Sequence, residues 1–462
     1  MKRFSFKKTF CILLALLMAW GFFACRPKEA QKPAEDNART EEPFIPANAE
    51  EAAAAYEAYP LEYIPFTRKK AEPVHEPEAP RYTRGDDGVW RRTDEEESGK
   101  AVIMITGDLM CQTRQQQAGK TDKGYSFGGS FSRVEAVFDK ADLVAGNLEA
   151  TLSESAPYMA EQNKVEGYPH LNAPASFLEA VRNAGFDILM MSNNHNCDAG
   201  VRGIYDTIDR VEEYGFIHTG LYRNSEEPRV TLVEVKGMRL AFLNYAASGF
   251  NRKDAHLTPE GREALLAAYS EEKLCRDVAQ AREAGAEFVF VYIHWGKEYS
   301  NGVTKRQWRI AREIANAGAD YIIGSHPHAL EPYRRILADD GRIVPVFFSL
   351  GNFVSHQKKV VSKDTVILRI ELKRDASGAV KLKKQGYIPC RVFTTFRGKS
   401  YVVIPLTEPY NRGVVSKYIA PAYSRIARVV GDKIEALGRL VMRVRAGEKG
   451  IPAAAPALKV GE

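Results

Sequence analysis

Cysteine is scarce in this chain: there are six in 462 residues, none of them in a C-x-x-C pair. Cys11 falls in the N-terminal apolar run, Cys25 directly follows it, and Cys111, Cys197, Cys275 and Cys390 are scattered through the body. That spacing excludes a disulfide framework, leaving room for one or two bridges at most. Charge of one sign is also lacking. Lys and Arg number 65 against 59 Asp and Glu, a net charge of +6, and no dense basic tract interleaved with aromatics suggests a nucleic-acid groove. Nucleic acid is therefore not an expected partner. No internal repeat is visible. What the chain does have is length and a 45% hydrophobic fraction, enough for one large or two ordinary domains with a real core.

At the N-terminus, Lys2, Arg3, Lys7 and Lys8 precede an apolar run from Phe10 to Ala24, the layout of a signal segment. The run is marginal for spanning a bilayer, and it ends in Phe22-Phe23-Ala24-Cys25, which resembles a lipoprotein cleavage site with Cys25 as the lipidated residue. Phe22 departs from the Leu preferred there, and an ordinary signal peptide or an uncleaved anchor is the alternative. Residues 1–24 are thus expected as a signal peptide. The body is expected to be exported and tied to the cell membrane by lipid on Cys25, facing the periplasm or the cell surface. Residues 25–99 carry nine prolines between Pro27 and Pro80 and the acidic cluster Asp94-Glu95-Glu96-Glu97. Such a composition cannot bury enough apolar surface to offset its ordering entropy, and it predicts a disordered tether.

From Ala101, short apolar runs alternate with longer amphipathic stretches, which predicts an α/β layered domain over residues 100–406. Strands are expected at Ala101–Thr106, Leu143–Gly146, Ile188–Met191, Phe288–Ile293, Tyr321–Ile323 and Val344–Phe348. Helices are expected at Ala173–Ala184, Gly203–Tyr214, Glu260–Ala284 and Thr304–Ala317, with Gly as the stop signal. Arg229–Val235 and Arg239–Tyr245 read as a strand pair about a Lys236-Gly237 turn, and Thr365–Leu372 as a further strand. Residues 407–450 are expected to form a helical tail. Nine Lys/Arg against three acids between Arg412 and Lys449, with apolar residues at helical spacing, predict a basic amphipathic helix, either packed on the domain or free to meet anionic lipid or an acidic polymer.

Residues capable of binding metal recur at the carboxyl ends of the expected strands. Asp108 follows the first, Glu149 the second, and Asn194 and His195 the third; His294 ends the fourth, His326 and His328 the fifth, and Asn352 follows the sixth. In a mostly parallel sheet those ends share one edge, where open α/β folds keep their sites. Carboxylate, amide oxygen and imidazole together form a donor set that divalent Mn, Zn or Fe accepts.

The ordered motifs GDLM, GNLE, SNNHNCDAG, HWGKEY, GSHPHALEP and SLGNF, spanning about Ala101 to Leu406, resemble the bacterial capsule-synthesis CapA family of the poly-γ-glutamate type, itself similar to calcineurin-like metallophosphoesterases. The resemblance implies a layered α/β sandwich of the metallophosphoesterase type with one or two divalent ions. It implies Asp108, Glu149, Asn194, His294, His326 and His328 as metal ligands. His195 would face a scissile phosphate, with Asp198 orienting it. Asp108-Leu109-Met110 stands where those phosphoesterases carry Asp-x-His, so one imidazole is absent. The implied activity is metal-dependent hydrolysis of an anionic polymer or phosphate ester of the cell envelope in capsule or poly-γ-glutamate biosynthesis, alongside other capsule-synthesis subunits. The alternative is a non-catalytic assembly or export subunit that binds polymer and retains the fold.

Overall fold

The computed structural model describes residues 80–92, 96–162, 170–251, 257–394, 400–409, 411 and 416–438. The expected signal peptide, Cys25, most of the tether and the tail beyond residue 438 lie outside the described residues.

Runs rich in Val, Ile and Phe form strands because branched and aromatic side chains pack well on a buried pleated surface. In one sheet, Lys100–Leu109 (β1), Leu143–Leu148 (β2), Ile188–Met190 (β3) and Ile217–Thr219 (β4) lie side by side and parallel. In the other, Thr231–Val235 (β5) pairs antiparallel with Met238–Ala246 (β6). Phe288–His294 (β7) and Tyr321–Ser325 (β8) then follow β6 in parallel. Leu330–Leu337 (β9) closes this sheet as an antiparallel edge on Ile343–Leu350 (β10), which runs parallel to β8. On its other side β1 pairs directly with the antiparallel Asp364–Arg374 (β12), followed by Val380–Thr394 (β13) and Tyr401–Pro405 (β14), while the short Asn352–Val354 (β11) runs parallel to the carboxyl end of β1.

The two-residue alternation of side chains decides the layering. Ile103 and Ile105 of β1, Leu240 and Phe242 of β6 and Phe288, Phe290 and Tyr292 of β7 share one core between the sheets. Their alternates face outward under helices. Met104, Val144 and Leu189 meet Ser176–Asn183 (α1) and Gly200–Glu213 (α2). Val289, Val291 and Ile293 meet Glu271–Glu283 (α3) and Lys305–Asn316 (α4). The result is a helix–sheet–sheet–helix sandwich, as the alternating pattern predicts. Gly185, Gly215, Gly285 and Gly318 each adopt positive φ just beyond a helix end, the left-handed stop that glycine takes without Cβ strain.

Several expectations are corrected. Residues 80–92, assigned to the tether, lie on the sheet edge instead: Thr83–Arg84 and Trp90–Arg91 extend the second sheet beyond β5, and Tyr82 and Val89 are buried. Pro-rich composition hid a segment with just enough apolar anchors. The expected helix over Glu260–Ala284 is two helices, Pro259–Leu265 and α3, because Leu266 and Ala268 between them bridge to Leu221 and Ala246. Among the described residues the tail helix spans Ser416–Val430 (α5). Gly431 then takes a φ of 92° and Glu435–Ala436 pairs with β13. Ile419, Ala422, Ile426 and Val430 of α5 join the inter-sheet core, so this helix packs on the domain. Among the described residues no helix is long and apolar enough to cross a membrane.

Candidate metal centre

Because β1–β3 and β7, β8 and β10 all present their carboxyl ends to one edge, residues far apart in the chain converge there. Asp108, near the end of β1, accepts from Asn147 Nδ2 at 2.8 Å, and the same amide lies 3.4 Å from Glu149 Oε2. His328 Nδ1 sits 3.3 Å from Asp108 Oδ2 and 2.9 Å from Asn352 Oδ1. On the other flank, His294 Nε2 is 2.7 Å from Asn194 Oδ1, and His326 Nδ1 is 3.1 Å from His294 Nε2. His294 Nδ1 meets Ser325 Oγ at 2.9 Å, a partner that fixes the ring and leaves Nε2 aimed at the cluster.

Glu149 stands between the flanks. Its Oε1 is buried and has no hydrogen-bond partner, yet His328 Nε2, His195 Nε2 and His294 Nε2 surround it at 3.5, 3.8 and 3.9 Å. These separations are too long for hydrogen bonds. They are close to the spacing of donor atoms that each lie about 2.0–2.2 Å from one shared cation. Donor atoms of Asp108, Glu149 and His294 all fall within 4.8 Å of one another. An orphaned carboxylate oxygen ringed by imidazole nitrogens fits a divalent ion.

The local backbone makes the convergence possible. His326 and His328 have φ values of 93° and 52°, and Tyr299, whose N–H donates to Pro327 O at 2.6 Å, has 61°. Three of the four non-glycine residues with positive φ among the described residues therefore sit at this edge, a clustering characteristic of functional sites. Gly107 has a different role. A Cβ there would collide with Gly351 O, so glycine lets β11 approach β1 and carries Asn352 to His328.

Electrostatics support a cation. Burial pushes the Glu149 carboxyl up, opposed by His328, while Asp108 adds to the rise. His328 is held above the usual imidazole value: burial opposes its charge, but Glu149 and Asp108 outweigh it. Burial, together with the neighbouring imidazoles, holds His294 well below its usual value and lowers His326 to about 3. Both rings are therefore neutral at pH 7, with lone pairs available for a metal.

Beside the cluster, His195 Nδ1 lies 2.6 Å from Asp198 Oδ2. Burial disfavours its charged form, yet Asp198 and Glu149 prevail and raise its pKa. The edge thus brings together Asp108, Glu149, Asn194, His195, Asp198, His294, His326 and His328, all singled out in the sequence. Met110, at the place of the missing imidazole, is buried. Asn147 and Ser325 were not singled out. Asn147 stands two residues before Glu149 at the strand period and so shares its face, but nothing marks that amide as a partner until the strand is in place.

A family model for "Bacterial capsule synthesis protein PGA_cap" matches residues 102–357. The chain is 30% identical over 255 residues to the "PGA biosynthesis protein CapA" of Bacillus subtilis (strain 168), a match covering 54% of this chain and 62% of that protein. It is 28% identical over 328 residues to the "Capsule biosynthesis protein CapA" of Bacillus anthracis, covering 69% and 76%. The matched part thus spans less than two thirds of the Bacillus subtilis relative. Among solved structures, the calcineurin-like phosphoesterase YfkN of Bacillus subtilis aligns with a TM-score of 0.41 at 13% identity, covering 63% of this chain and 90% of that one. A 5'-nucleotidase precursor from Thermus thermophilus aligns at 0.39 and 15%, covering 71% and 58%.

Proposed function

This chain belongs to the bacterial capsule synthesis family PGA_cap, and we propose that it is an exported, membrane-anchored, metal-dependent hydrolase acting on an anionic polymer or phosphate ester of the cell envelope. The observation that carries the reading is Glu149 Oε1, buried without a hydrogen-bond partner and faced by three imidazole Nε2 atoms at 3.5–3.9 Å. Asp108, Glu149, Asn194, His294, His326 and His328 would hold one or two ions of Mn, Zn or Fe. Such an ion supplies Lewis acidity toward a phosphoryl oxygen and toward water.

The remaining chemistry belongs to the side chains. Asp198 accepts from His195 Nδ1 and so fixes the tautomer and the ring plane, leaving Nε2 facing the cluster to donate a proton to a departing oxygen. Asn147 bridges Asp108 and Glu149, keeping the two carboxyl groups in register. Asn352 orients His328 from the side away from Glu149. The buried floor excludes bulk water from these contacts, which strengthens each of them.

A second reading, a non-catalytic polymer-binding assembly or export subunit, is favoured by the buried Met110 in place of an imidazole ligand. One experiment separates them. The full chain is assayed for bound Mn, Zn or Fe and for hydrolysis of a chromogenic phosphate ester, beside a His326→Ala, His328→Ala double variant. Hydrolysis and metal that vanish together in the variant support the enzyme, whereas inert, metal-free parent protein that still binds polyglutamate supports the second reading. For the anchor, Cys25→Ser should release the protein from the membrane fraction, and unchanged fractionation would refute lipidation there.

A further inference from the structure

Next to the metal-capable cluster lies a cavity of about 240 Å³, lined among others by Asn301, Asp364, Arg425 and Arg428. It opens near the same edge. Leu330 in its wall is two residues beyond His328 and pairs with Leu350, which leads into Asn352. Asn301 Nδ2 donates to Leu330 O at 2.7 Å, tying the loop that carries Tyr299 to this wall. The Tyr299 ring stands 6.0 Å from the His328 ring, and Lys359 Nζ lies 3.7 Å above the Tyr299 ring centroid.

The charge of this cavity is unbalanced. Buried Asp364 is shared by two guanidiniums: Arg391 Nη1, and Arg425, whose Nε donates at 2.7 Å. A single carboxylate cannot neutralise both. Arg428, exposed on the last turn of α5, makes no hydrogen bond or ion pair with any described residue, and just outside the wall, two residues before Val361, exposed Lys359 sets its ammonium over the Tyr299 ring face. A cavity with excess positive charge, held by a rigid buried carboxylate–arginine network, suits an anionic group. The network also explains why the tail helix docks here: Arg425 fastens it to the first residue of β12.

We propose that this cavity is an anion-binding subsite, in which Arg428 of its wall receives one carboxylate or phosphate of an extended polyanion while the next part of the same ligand passes Lys359 and Tyr299 to reach the metal-capable cluster. This inference rests on the reading above for the identity of the second position. It adds a second point of contact for that ligand outside the metal-capable cluster, and it gives the basic tail helix a place in recognition.

The test uses the full chain and two probes, a fluorescein-labelled γ-linked glutamate oligomer read by anisotropy and inorganic tripolyphosphate as competitor. Lys359→Gln with Arg428→Gln is expected to weaken oligomer binding about tenfold, the loss of roughly 1.4 kcal/mol, and to flatten its salt dependence. Arg428→Lys, which keeps the charge, should recover most of the affinity. An unchanged thermal midpoint shows that the variant is folded. Displacement by tripolyphosphate at far lower concentration than by unlabelled oligomer identifies the bound group as phosphate, and the reverse order as carboxylate. The inference fails when the double variant binds within about twofold of the parent, or when the parent binds neither probe. A parent that binds oligomer through Arg428 and Lys359 yet holds no metal and cleaves no ester overturns the hydrolase reading alone. A parent that cleaves ester but binds oligomer independently of these residues overturns the subsite alone.

Discussion

At the scale of single residues, His195 and Asp198 carry the sharpest expectation. If His195 donates the proton and Asp198 only aligns and charges it, then His195→Asn and Asp198→Asn should each slow ester hydrolysis by about 10²–10⁴-fold. The double variant should be no slower than the worse single, since residues acting as a unit are not additive. The pH profile tells positioning from bulk structure. Asp198 is a main reason that the His195 pKa is raised against the pull of burial. Removing its charge therefore lowers that pKa, and the alkaline limb of the Asp198→Asn profile should move to lower pH. A limb that stays in place, with a uniformly reduced rate, would show that Asp198 does not tune the ring. Glu149 was legible from its place after a strand, but its partner Asn147 was not, because an amide within an apolar strand has no distinguishing mark until its neighbours are known. The strained φ values of His326 and His328 were equally hidden: Pro327 between them announces a turn but not its hand.

At the scale of elements, the three-residue parallel strands β4 and β11 carry too short a pattern to be seen, while β1, β2, β3, β7, β8 and β10 were readable because each holds a short apolar run. The antiparallel strands β9, β13 and β14 were not. Val380–Thr394 begins with Lys381, Lys383 and Lys384 on its solvent face, so its first half reads as polar linker although it pairs with β12 along its length. Beyond β8, the GSHPHALEP segment enters β9 with Glu331, whose side chain is completely buried and whose Oε2 accepts from Gln307 Nε2 at 2.5 Å. Gln307 also closes the capping box of α4 with Thr304, so one amide fixes both the helix start and the strand behind the histidine loop. Burial pushes the Glu331 carboxyl up to about 8, with Gln307 opposing. The folded chain therefore holds this proton between about pH 4.5 and 8 while the unfolded chain has released it. Stability falls as pH rises through that window, by a few kcal/mol at most for a shift of this size. Glu331→Gln keeps the shape and removes the titration. Urea midpoints of the variant should therefore decline less than those of the parent between pH 5 and pH 8, and parallel declines would show that Glu331 is ionised in the fold.

A second expectation at this scale concerns the seam between β1 and β11. A methyl at residue 107 would meet Gly351 O, so Gly107→Ala must push β11 away and take Asn352 from His328. The cost should be on the order of 3 kcal/mol in chemical denaturation, typical of a backbone clash that cannot relax. Gly128, whose added Cβ meets nothing within 4 Å, is the matched control. Gly128→Ala should unfold near the parental midpoint.

At the scale of the whole molecule, the candidate centre is also a joint. Asp108, Glu149 and Asn194 come from the sheet built on β1–β3, whereas His294, His326 and His328 come from the sheet built on β7 and β8. The contacts His294 Nε2 to Asn194 Oδ1 and His328 Nδ1 to Asp108 Oδ2 cross between them. Without a cation that joint encloses Glu149 Oε1 unbonded among imidazoles, an arrangement that costs free energy. A divalent ion bound there would cross-link the two halves of the sandwich and act on the folded state alone, because the unfolded chain keeps no such arrangement. Linkage then sets the size of the effect: at an ion concentration about 100 times the dissociation constant, stability rises by about 2.7 kcal/mol. Protein stripped with a chelator should melt several degrees lower than protein reloaded with Mn, Zn or Fe, and the His326→Ala, His328→Ala variant should melt at one temperature with or without the ion. Scanning calorimetry of the four samples measures this without any substrate. Identical melting of stripped and reloaded parent protein would mean that the two sheets are held together by their apolar core alone, and that the imidazoles and carboxylates at their shared edge do not bind a cation.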